Sequence, residues 1–482
     1  MPAPARVSVG SVFSVVRPVP PYSYESPLAR RGVHLIPNHA FEAELAAAAG
    51  VRDAQELFSE IPANLRIHGL KLPAAEPERH MARRLRTLLA KNHSYDRIAN
   101  FLGGGLKPQL VPAAVRAVAH RQEFITSYTP YQPEVSQGLL QVIFEYQSLM
   151  CDITRMDVSN AGMYDHPTAL GEAALMSTRV NDRMRFLVPE HLSWEKRSIL
   201  RNYTVGPGIQ LDTYGYDAAT GRSDLASLQA KLGPDISGVY LENPNHFGVF
   251  EEEAKKVGEL AHAAGALFVM GVDLTSLGVA APPGTLGADI VVAEGSCFGG
   301  APALGVPLLG TMLCTEAIVR KMPGRIIGAT KDESGKRGFV MTLQAREQHI
   351  RRAKATSNIC SNEALIANQA AIHLTMLGRT GLRTMGLQNL EAGAKLESAL
   401  ASAGLSRRFS GAFYNEVVTQ VADPAALHEQ AIAKGVHVGQ PLAQDVPTLR
   451  NCMLWGSTPI HNDEDYARLR DAIKPVLKAV KA

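Results

Sequence analysis

Two side chains with chemical potential follow two apolar runs near the middle of the chain. The run Leu267–Val272 ends at Asp273, and the next run, Ile290–Ala293, is followed shortly by Cys297. Continuous apolar runs of this length between helical patterns are typical of parallel strands covered on both faces. Open sheets of this kind bind ligands outside the carboxyl ends of their strands, so we expect Asp273 at a ligand site. Cys297 is a candidate nucleophile, but no base lies near it in sequence, which favours a small structural residue.

The start of a predicted helix at Pro167 and Thr168 is a second candidate site. Proline is favoured at the first helical position, and the free amides of a helix N-terminus bind anions. Asp165 and the bulky His166 do not favour a phosphate there, so an ordinary capped helix is an equally good interpretation. The glycine-rich stretch Gly299–Gly310 lacks the lysine and hydroxyl residue of a phosphate-binding P-loop, which argues against a nucleotide role.

A proline-rich aromatic loop precedes the helix predicted over Ser136–Thr154. Tyr128, Thr129 and Tyr131 stand in this loop on either side of Pro130. Prolines restrict the backbone, so the loop is expected to hold its phenol groups in fixed positions. It either packs as an ordinary connection or lines a ligand pocket, and local chemistry alone favours the ordinary connection.

The order of predicted elements defines the fold class. From about residue 157 to residue 294, strands alternate with helices, a pattern typical of a doubly wound, mostly parallel sheet with right-handed crossovers. A smaller α/β region follows, with strands predicted over Asn415–Val421 and Cys452–Trp455 and a last helix over Asp463–Val480. Helices are predicted ahead of the sheet over Asn38–Gly50, Asp53–Ile61 and Pro77–Lys91.

Four regions follow from these patterns. Residues 1–33 form a proline-rich tail with a single acid, Glu25, typical of a flexible segment or of an arm lying on a partner. An organelle transit peptide is the less favoured interpretation, because the prolines interrupt an amphipathic helix. We predict a helical segment over residues 34–100, a large α/β domain over 101–378 and a small α/β domain over 379–482.

Composition excludes several classes of protein. The 482 residues are 46% hydrophobic and 20% charged, which is ordinary globular composition. A formal net charge of +3 is too small in a chain of this length to indicate nucleic acid or an anionic membrane. Five scattered cysteines without metal-type spacing indicate neither a disulfide framework nor a metal site, and a reducing cytoplasmic location is expected.

Several sequence blocks carry a family resemblance from about Ile36 to the C-terminus. The blocks are Phe58–Ile67, Phe101–Gly105, Ser127–Gly138, Met163–Met176, Glu242–Val249, Lys321–Gly328 and Gly335–Leu365. The last block is long and unusual in composition, which makes chance agreement a poor explanation. In these blocks the chain resembles subunit 1 of the two-chain P-protein, the glycine dehydrogenase (decarboxylating) of the glycine cleavage system.

The resemblance implies an aspartate-aminotransferase-like fold, the type I fold of pyridoxal-phosphate enzymes. In that fold a carboxylate at the place of Asp273 pairs with the protonated pyridine nitrogen, and the turn before the helix at Pro167 holds the phosphate. The lysine that binds the cofactor covalently follows the next strand, where this chain has Cys297 and no lysine. The resemblance therefore implies no cofactor-binding residue on this chain alone, with Asp273 as a relic of the ancestral contact.

The resemblance also implies a reaction shared between two chains. Subunit 2 is expected to bind pyridoxal phosphate covalently, in a heterodimer that pairs into a dimer of heterodimers. Glycine would lose carbon dioxide at that cofactor, and the aminomethyl group would pass to the lipoyl group of the carrier H-protein. Tyr128, Thr129 and Tyr131 are expected to contribute to the shared site.

The chain departs from the family pattern in three places. Lys107-Pro108-Gln109-Leu110 replaces an aromatic run, His166 replaces a common glycine, and the segment Gly456–Asp465 differs from the usual pattern. Two other interpretations stay open. The chain could be an autonomous pyridoxal-phosphate enzyme that uses Lys321 or Lys331, or a non-catalytic regulatory partner of such an enzyme.

Overall fold

The N-terminal part of the chain is a separate compact unit. The computed structural model describes residues 41–67, 71–72, 76–94, 97–105, 107–125, 132–300, 308–356, 359 and 363–481, and it divides the chain into residues 1–91 and 92–482. The first unit holds helices α1 (Glu42–Ala48) and α2 (Glu78–Leu89). The predicted helix over Asp53–Ile61 is wrong in extent, because only a 3₁₀ turn, Glu56–Phe58, forms there.

The second unit contains the remaining elements. Its helices are α3 (Ala113–Ala119), α4 (Gln122–Ile125), α5 (Gln137–Thr154), α6 (His166–Asn181), α7 (Trp194–Val205), α8 (Leu225–Lys231), α9 (Ala254–Ala263), α10 (Gln348–Arg351), α11 (Ala364–Ala403), α12 (Pro424–Ile432) and α13 (Asp463–Lys481). Its strands are β1 (Ala99–Asn100), β2 (Val158–Ser159), β3 (Arg185–Pro189), β4 (Gln210–Tyr214), β5 (Ile236–Asn243), β6 (Leu267–Val272), β7 (Ile290–Glu294), β8 (Gly310–Cys314), β9 (Ile326–Lys331), β10 (Arg337–Thr342), β11 (Glu416–Gln420), β12 (Val436–His437), β13 (Gln440–Pro441) and β14 (Cys452–Gly456).

A seven-stranded sheet organises this unit, with strand order β2-β8-β7-β6-β5-β3-β4. Strands β3 to β7 are parallel, whereas β8 and β2 are antiparallel to their neighbours. The predicted α/β class with a mostly parallel sheet is therefore confirmed. The strands β4 and β8 were not predicted, because β4 is a polar edge strand and β8 follows a glycine- and proline-rich segment.

Both faces of the large sheet are covered, which explains the continuous apolar runs. Successive side chains of a strand point to opposite faces. Phe268 and Met270 of β6 accordingly belong to one buried cluster with α9 and α11, whereas Val269 belongs to another with α6. None of the helices in the described residues is long and apolar enough to cross a membrane.

A smaller antiparallel sheet, ordered β11-β14-β13, lies in the C-terminal part. Its core centres on the fully buried Trp455, packed with Leu396 and Leu469 from α11 and α13. Helix α11 runs through the predicted domain boundary at residue 378, with non-helical backbone only at Gly378. The boundaries predicted at residues 33 and 378 stay predictions.

Candidate active-site cavity

A cavity of about 440 Å³ lies at the carboxyl ends of β5, β6 and β7. Open α/β sheets bind ligands at this edge. The strands place Glu242, Asp273 and Glu294 in its wall. Residues from the glycine-rich segment before α3, from the start of α6 and from β11 complete the lining. The cavity therefore unites parts of the chain that are far apart in sequence.

Asp273 follows β6 and caps the next turn. Its Oδ1 accepts hydrogen bonds from the backbone N–H of Thr275 at 2.9 Å and from the Thr275 hydroxyl at 2.6 Å. Its Oδ2 lies 3.4 Å from Nζ of Lys107. The predicted position of Asp273 at the ligand edge agrees with this geometry, but its carboxylate already has a cationic partner within the chain.

Lys107 joins Asp273 to a second carboxylate. Its Nζ donates to Oε2 of Glu416 at 2.8 Å, and its side chain is only 4% exposed. Burial opposes the charge of Lys107, but Glu416 and Asp273 outweigh that effect and raise its pKa. Burial likewise opposes the charge of Glu416, whose pKa is lowered on balance by Lys107. Both groups are therefore charged at neutral pH.

The glycines before Lys107 make this arrangement possible. Oε1 of Glu416 accepts hydrogen bonds from the backbone N–H groups of Gly104 at 2.6 Å and Gly105 at 3.3 Å. These glycines have φ values of +102° and +96°, a region that residues with a Cβ rarely adopt. The glycine run thus places two amides at one carboxylate oxygen of Glu416 and positions Lys107 at the other.

The start of α6 is occupied by carboxylates of the chain itself. Asp165 accepts from the backbone N–H of Thr168 at 2.7 Å, and Glu294 accepts from that of His166 at 3.4 Å. Pro167 has no N–H. Oε1 of Glu294 also accepts from the amides of Ser296 and Leu309. The first-turn amides that could bind an anion are therefore already paired with negative groups.

The imidazole of His166 is a neutral wall group. Its Nε2 lies 3.0 Å from the hydroxyl of Tyr240. Burial, assisted by the nearby charge of Lys196, lowers the pKa of His166 well below its usual value. Lys196 itself forms a buried ion pair with Glu242. His166 therefore fills space and hydrogen-bonds, and adds no positive charge at neutral pH.

Cys297 lies after β7 at the cavity wall. Burial raises the pKa of its thiol, and Asp273 and Glu294 raise it further. The nucleophilic form of cysteine is the thiolate. These surroundings support the interpretation of Cys297 as a small structural residue.

The structure bears on only some of the other predicted site residues. Tyr128, Thr129 and Tyr131 lie outside the described residues. Lys321 and Lys331 are exposed, and neither lines the cavity. Among the described residues, the lysines that line it are Lys107 and Lys196, neither of which was predicted as a site residue.

Similarity to solved structures first defines the class of fold. An alanine–glyoxylate aminotransferase from Nostoc sp. superposes with a TM-score of 0.56 at 15% sequence identity, covering 86% of this chain and 98% of that one. At this identity the likeness shows the fold alone. Together with the sheet order, it confirms the aspartate-aminotransferase-like, type I fold of pyridoxal-phosphate enzymes.

Closer similarities then define the family. The family model of the glycine cleavage system P-protein matches residues 32–448. The probable glycine dehydrogenase (decarboxylating) subunit 1 of Thermococcus onnurineus is 43% identical over 448 residues, 92% of this chain and 100% of that protein. The crystal structure of an inhibitor-bound glycine decarboxylase (P-protein) of the glycine cleavage system is 39% identical, with a TM-score of 0.84, and covers 91% of this chain and 98% of that one. The chain belongs to the P-protein family of the glycine cleavage system.

Proposed function

We propose that the chain is subunit 1, the non-lysine subunit, of a cytoplasmic two-chain glycine decarboxylase. Together with subunit 2 it decarboxylates glycine and passes the aminomethyl group to the lipoyl group of the carrier H-protein. Pyridoxal phosphate, bound covalently by subunit 2, supplies the electron sink for the decarboxylation. The observation that carries the proposal is 43% identity, over 92% of this chain, to a protein named as subunit 1, combined with a cavity in which each lining lysine among the described residues is paired with a carboxylate.

The lysine positions support a partner-borne cofactor. The sequence has no lysine between Lys256 and Lys321, a span that contains β6, β7 and the segment after them. The cavity lysines Lys107 and Lys196 are each paired with a buried carboxylate. Against the effect of burial, the two carboxylates raise the pKa of Lys107, which makes it a poor nucleophile, because nucleophilic lysines require a lowered pKa.

The N-terminal unit supports a heteromeric assembly. In α2 the residues Met81, Leu85, Leu88 and Leu89 form an apolar stripe, and each is between 42% and 62% exposed. Exposed apolar patches of this kind mark protein–protein contacts. We assign this stripe to the surface that meets subunit 2.

The aromatic loop is assigned to the shared site. Tyr128 and Tyr131 bear phenol groups that can orient a polar substrate, and Thr129 adds a hydroxyl. In the reconstituted complex, the double substitution Tyr128→Phe/Tyr131→Phe should slow glycine decarboxylation. An unchanged rate would remove the loop from the site.

The test of the proposal is glycine decarboxylation measured as release of carbon dioxide. The assay compares this chain alone, subunit 2 alone and the mixture, each with pyridoxal phosphate and lipoylated H-protein. We expect activity only in the mixture. Activity of this chain alone contradicts the proposal, and full activity of subunit 2 alone identifies this chain as a non-catalytic regulatory partner.

A further inference from the structure

Charged groups in the cavity of this chain pair with other groups of the same chain. The type I fold offers a cofactor a carboxylate for its cationic ring nitrogen and a helix N-terminus for its anionic phosphate. In this chain the carboxylate of Asp273 faces the ammonium group of Lys107 at 3.4 Å. A cation of the chain itself thus lies where the fold would pair a cofactor's cation.

At the N-terminus of α6, anionic groups of the chain itself lie where the fold would bind the cofactor's phosphate. The amides of His166 and Thr168 donate to Glu294 and Asp165. A phosphate brought to this turn would lose those amides and would meet two carboxylates. The negative charges of a phosphate and of these carboxylates would repel each other strongly in this partly buried site. The residues present therefore do not fit pyridoxal phosphate.

We propose that the chain complements its own cofactor-type site: Lys107 replaces the cofactor's cation, and Asp165 and Glu294 replace its anion. The cavity thereby excludes pyridoxal phosphate and keeps Asp273, Glu416 and the first-turn amides of α6 paired. The inference concerns this chain alone, and it rests on the proposed function only in leaving the reactive cofactor to subunit 2.

Lys107 has a positioning role in this arrangement. It connects the glycine-rich segment, the end of β6 through Asp273 and the small sheet through Glu416. The residues that follow it are anchored as well. The carbonyl of Pro108 accepts from the hydroxyl of Thr458 at 2.7 Å, and Gln109 exchanges hydrogen bonds with Asn389. The segment that departs from the family pattern is therefore integrated into this chain as a unit.

The first test uses the unmodified full-length chain and needs no variant. Equilibrium dialysis against pyridoxal phosphate, followed by absorbance of the retained cofactor, should detect no bound equivalent on this chain. Binding of one equivalent, with or without a covalent bond to a lysine, would overturn the inference.

The second test is chemical rescue of Lys107→Ala. This substitution removes three carbons and the ammonium group, the atoms of propylamine, and leaves Asp273 and Glu416 without their cation. We expect the melting temperature of the full-length chain to fall by about 5 °C. Propylamine should recover at least half of that loss, whereas 1-propanol at the same concentration should not.

A surface lysine provides the matched control. Lys395 pairs with Glu391 at 3.1 Å, but both side chains are largely exposed. Lys395→Ala should leave the melting temperature within about 1 °C of the parent and should not respond to propylamine. Equal responses of the two variants, or an unchanged melting temperature for Lys107→Ala, would refute the role of Lys107.

These measurements are independent of the proposed function. They record cofactor binding and stability of the isolated full-length chain, with no glycine and no subunit 2 present. The decarboxylation assay can therefore fail while the cavity still excludes the cofactor. A cavity that binds pyridoxal phosphate would overturn the inference and leave a decarboxylating complex possible.

Discussion

The cavity and the N-terminal helix α2 differ in how their side chains are satisfied: the cavity pairs charged groups within the chain, whereas α2 leaves apolar side chains exposed. The carboxylates Asp273 and Glu416 and the first-turn amides of α6 are paired with groups of the chain itself. In contrast, the apolar stripe of α2, which includes Leu85 and Leu88, is exposed. Unpaired buried charge is costly, whereas exposed apolar surface of this extent calls for a partner.

This difference indicates where the chain contributes to function. A cavity in which Lys107 pairs with Asp273 and Glu416 is a stable part of the scaffold, and it offers little to a charged cofactor. An uncovered apolar surface gains free energy when another chain buries it. Under the proposed function, selection on this chain is expected to act on the apolar stripe of α2 more than on the cavity.

The largest expected effect comes from breaking the internal pairing at Glu416. Glu416→Ala removes the nearer of the two carboxylate partners of Lys107 and the acceptor of two amides, and should lower the free energy of unfolding by about 4 kcal/mol. Chemical denaturation of the full-length chain measures the change. Glu391→Ala, at an exposed ion pair, is the control and should change it by less than about 1 kcal/mol. Similar losses in both variants would show that the buried pairing at Glu416 contributes no more stability than an exposed ion pair.

The next effect concerns the exposed stripe. Leu85→Ala/Leu88→Ala should weaken binding to subunit 2 by about 3 kcal/mol, roughly a hundredfold in Kd, with little change in the stability of the chain alone. Calorimetric titration of subunit 2 gives the affinity. Arg83→Ala on the same helix should leave Kd within about threefold. Unaltered affinity of the leucine variant would place the subunit contact elsewhere.

A smaller effect depends on pH and on a buried carboxyl group behind the cavity. Asn245, a wall residue, donates from Nδ2 to Oε1 of Glu251 at 2.8 Å. Burial raises the pKa of Glu251 from 4.5 to about 7, although hydrogen bonds from Asn245 and Ser223 oppose the shift. Burial lowers the pKa of the neighbouring His191 to about 3, so this imidazole stays neutral near pH 7.

The sign of the pH effect follows from proton binding. Between 4.5 and about 7 the folded chain holds a proton on Glu251 that the unfolded chain has lost, so this group's contribution to stability falls as pH rises. Glu251→Gln removes the titration. From about pH 5 to about pH 8 the variant should lose about 2 kcal/mol less stability than the parent, measured by denaturation at each pH. Parallel pH profiles would contradict the assignment, and Glu252→Gln at the surface is the control.

The smallest effect tests the glycine run. Gly105 has a φ of +96° and no atom within 4 Å of the position that a Cβ would take, so Gly105→Ala measures backbone strain alone. It should cost about 1 kcal/mol of unfolding free energy. Gly138, in α5 and equally uncrowded, should gain up to about 1 kcal/mol on substitution by alanine. A neutral Gly105→Ala would show that its conformation does not hold the segment around Glu416.

The sequence predicts those features that depend on local patterns. The strand Leu267–Val272 has its predicted bounds, because an apolar run between helical patterns has one interpretation in a covered sheet. Its last residue leads directly to Asp273 at the cavity. An ordinary capped helix was one of the two alternatives predicted at Pro167, because proline is favoured at a helix start, and in the structure Asp165 is its cap.

The pairing of Lys107 with two carboxylates in the cavity could not be predicted from local patterns. Lys107 and Glu416 are separated by 309 residues, and nothing in the sequence near either residue indicates the other. The departure at Lys107 from the family pattern was a signal that the site differs. Only the fold shows that its ammonium group lies between two carboxylates.

The most direct test of a partner-borne cofactor is borohydride trapping with pyridoxal phosphate, followed by peptide mapping. The full-length chain is examined alone and in complex with subunit 2. We expect absorbance of bound cofactor only in the complex, and a reduced, cofactor-labelled lysine that maps to subunit 2. A labelled lysine on this chain, at Lys107, Lys196 or elsewhere, would contradict the central claim and identify this chain as a pyridoxal-phosphate enzyme in its own right.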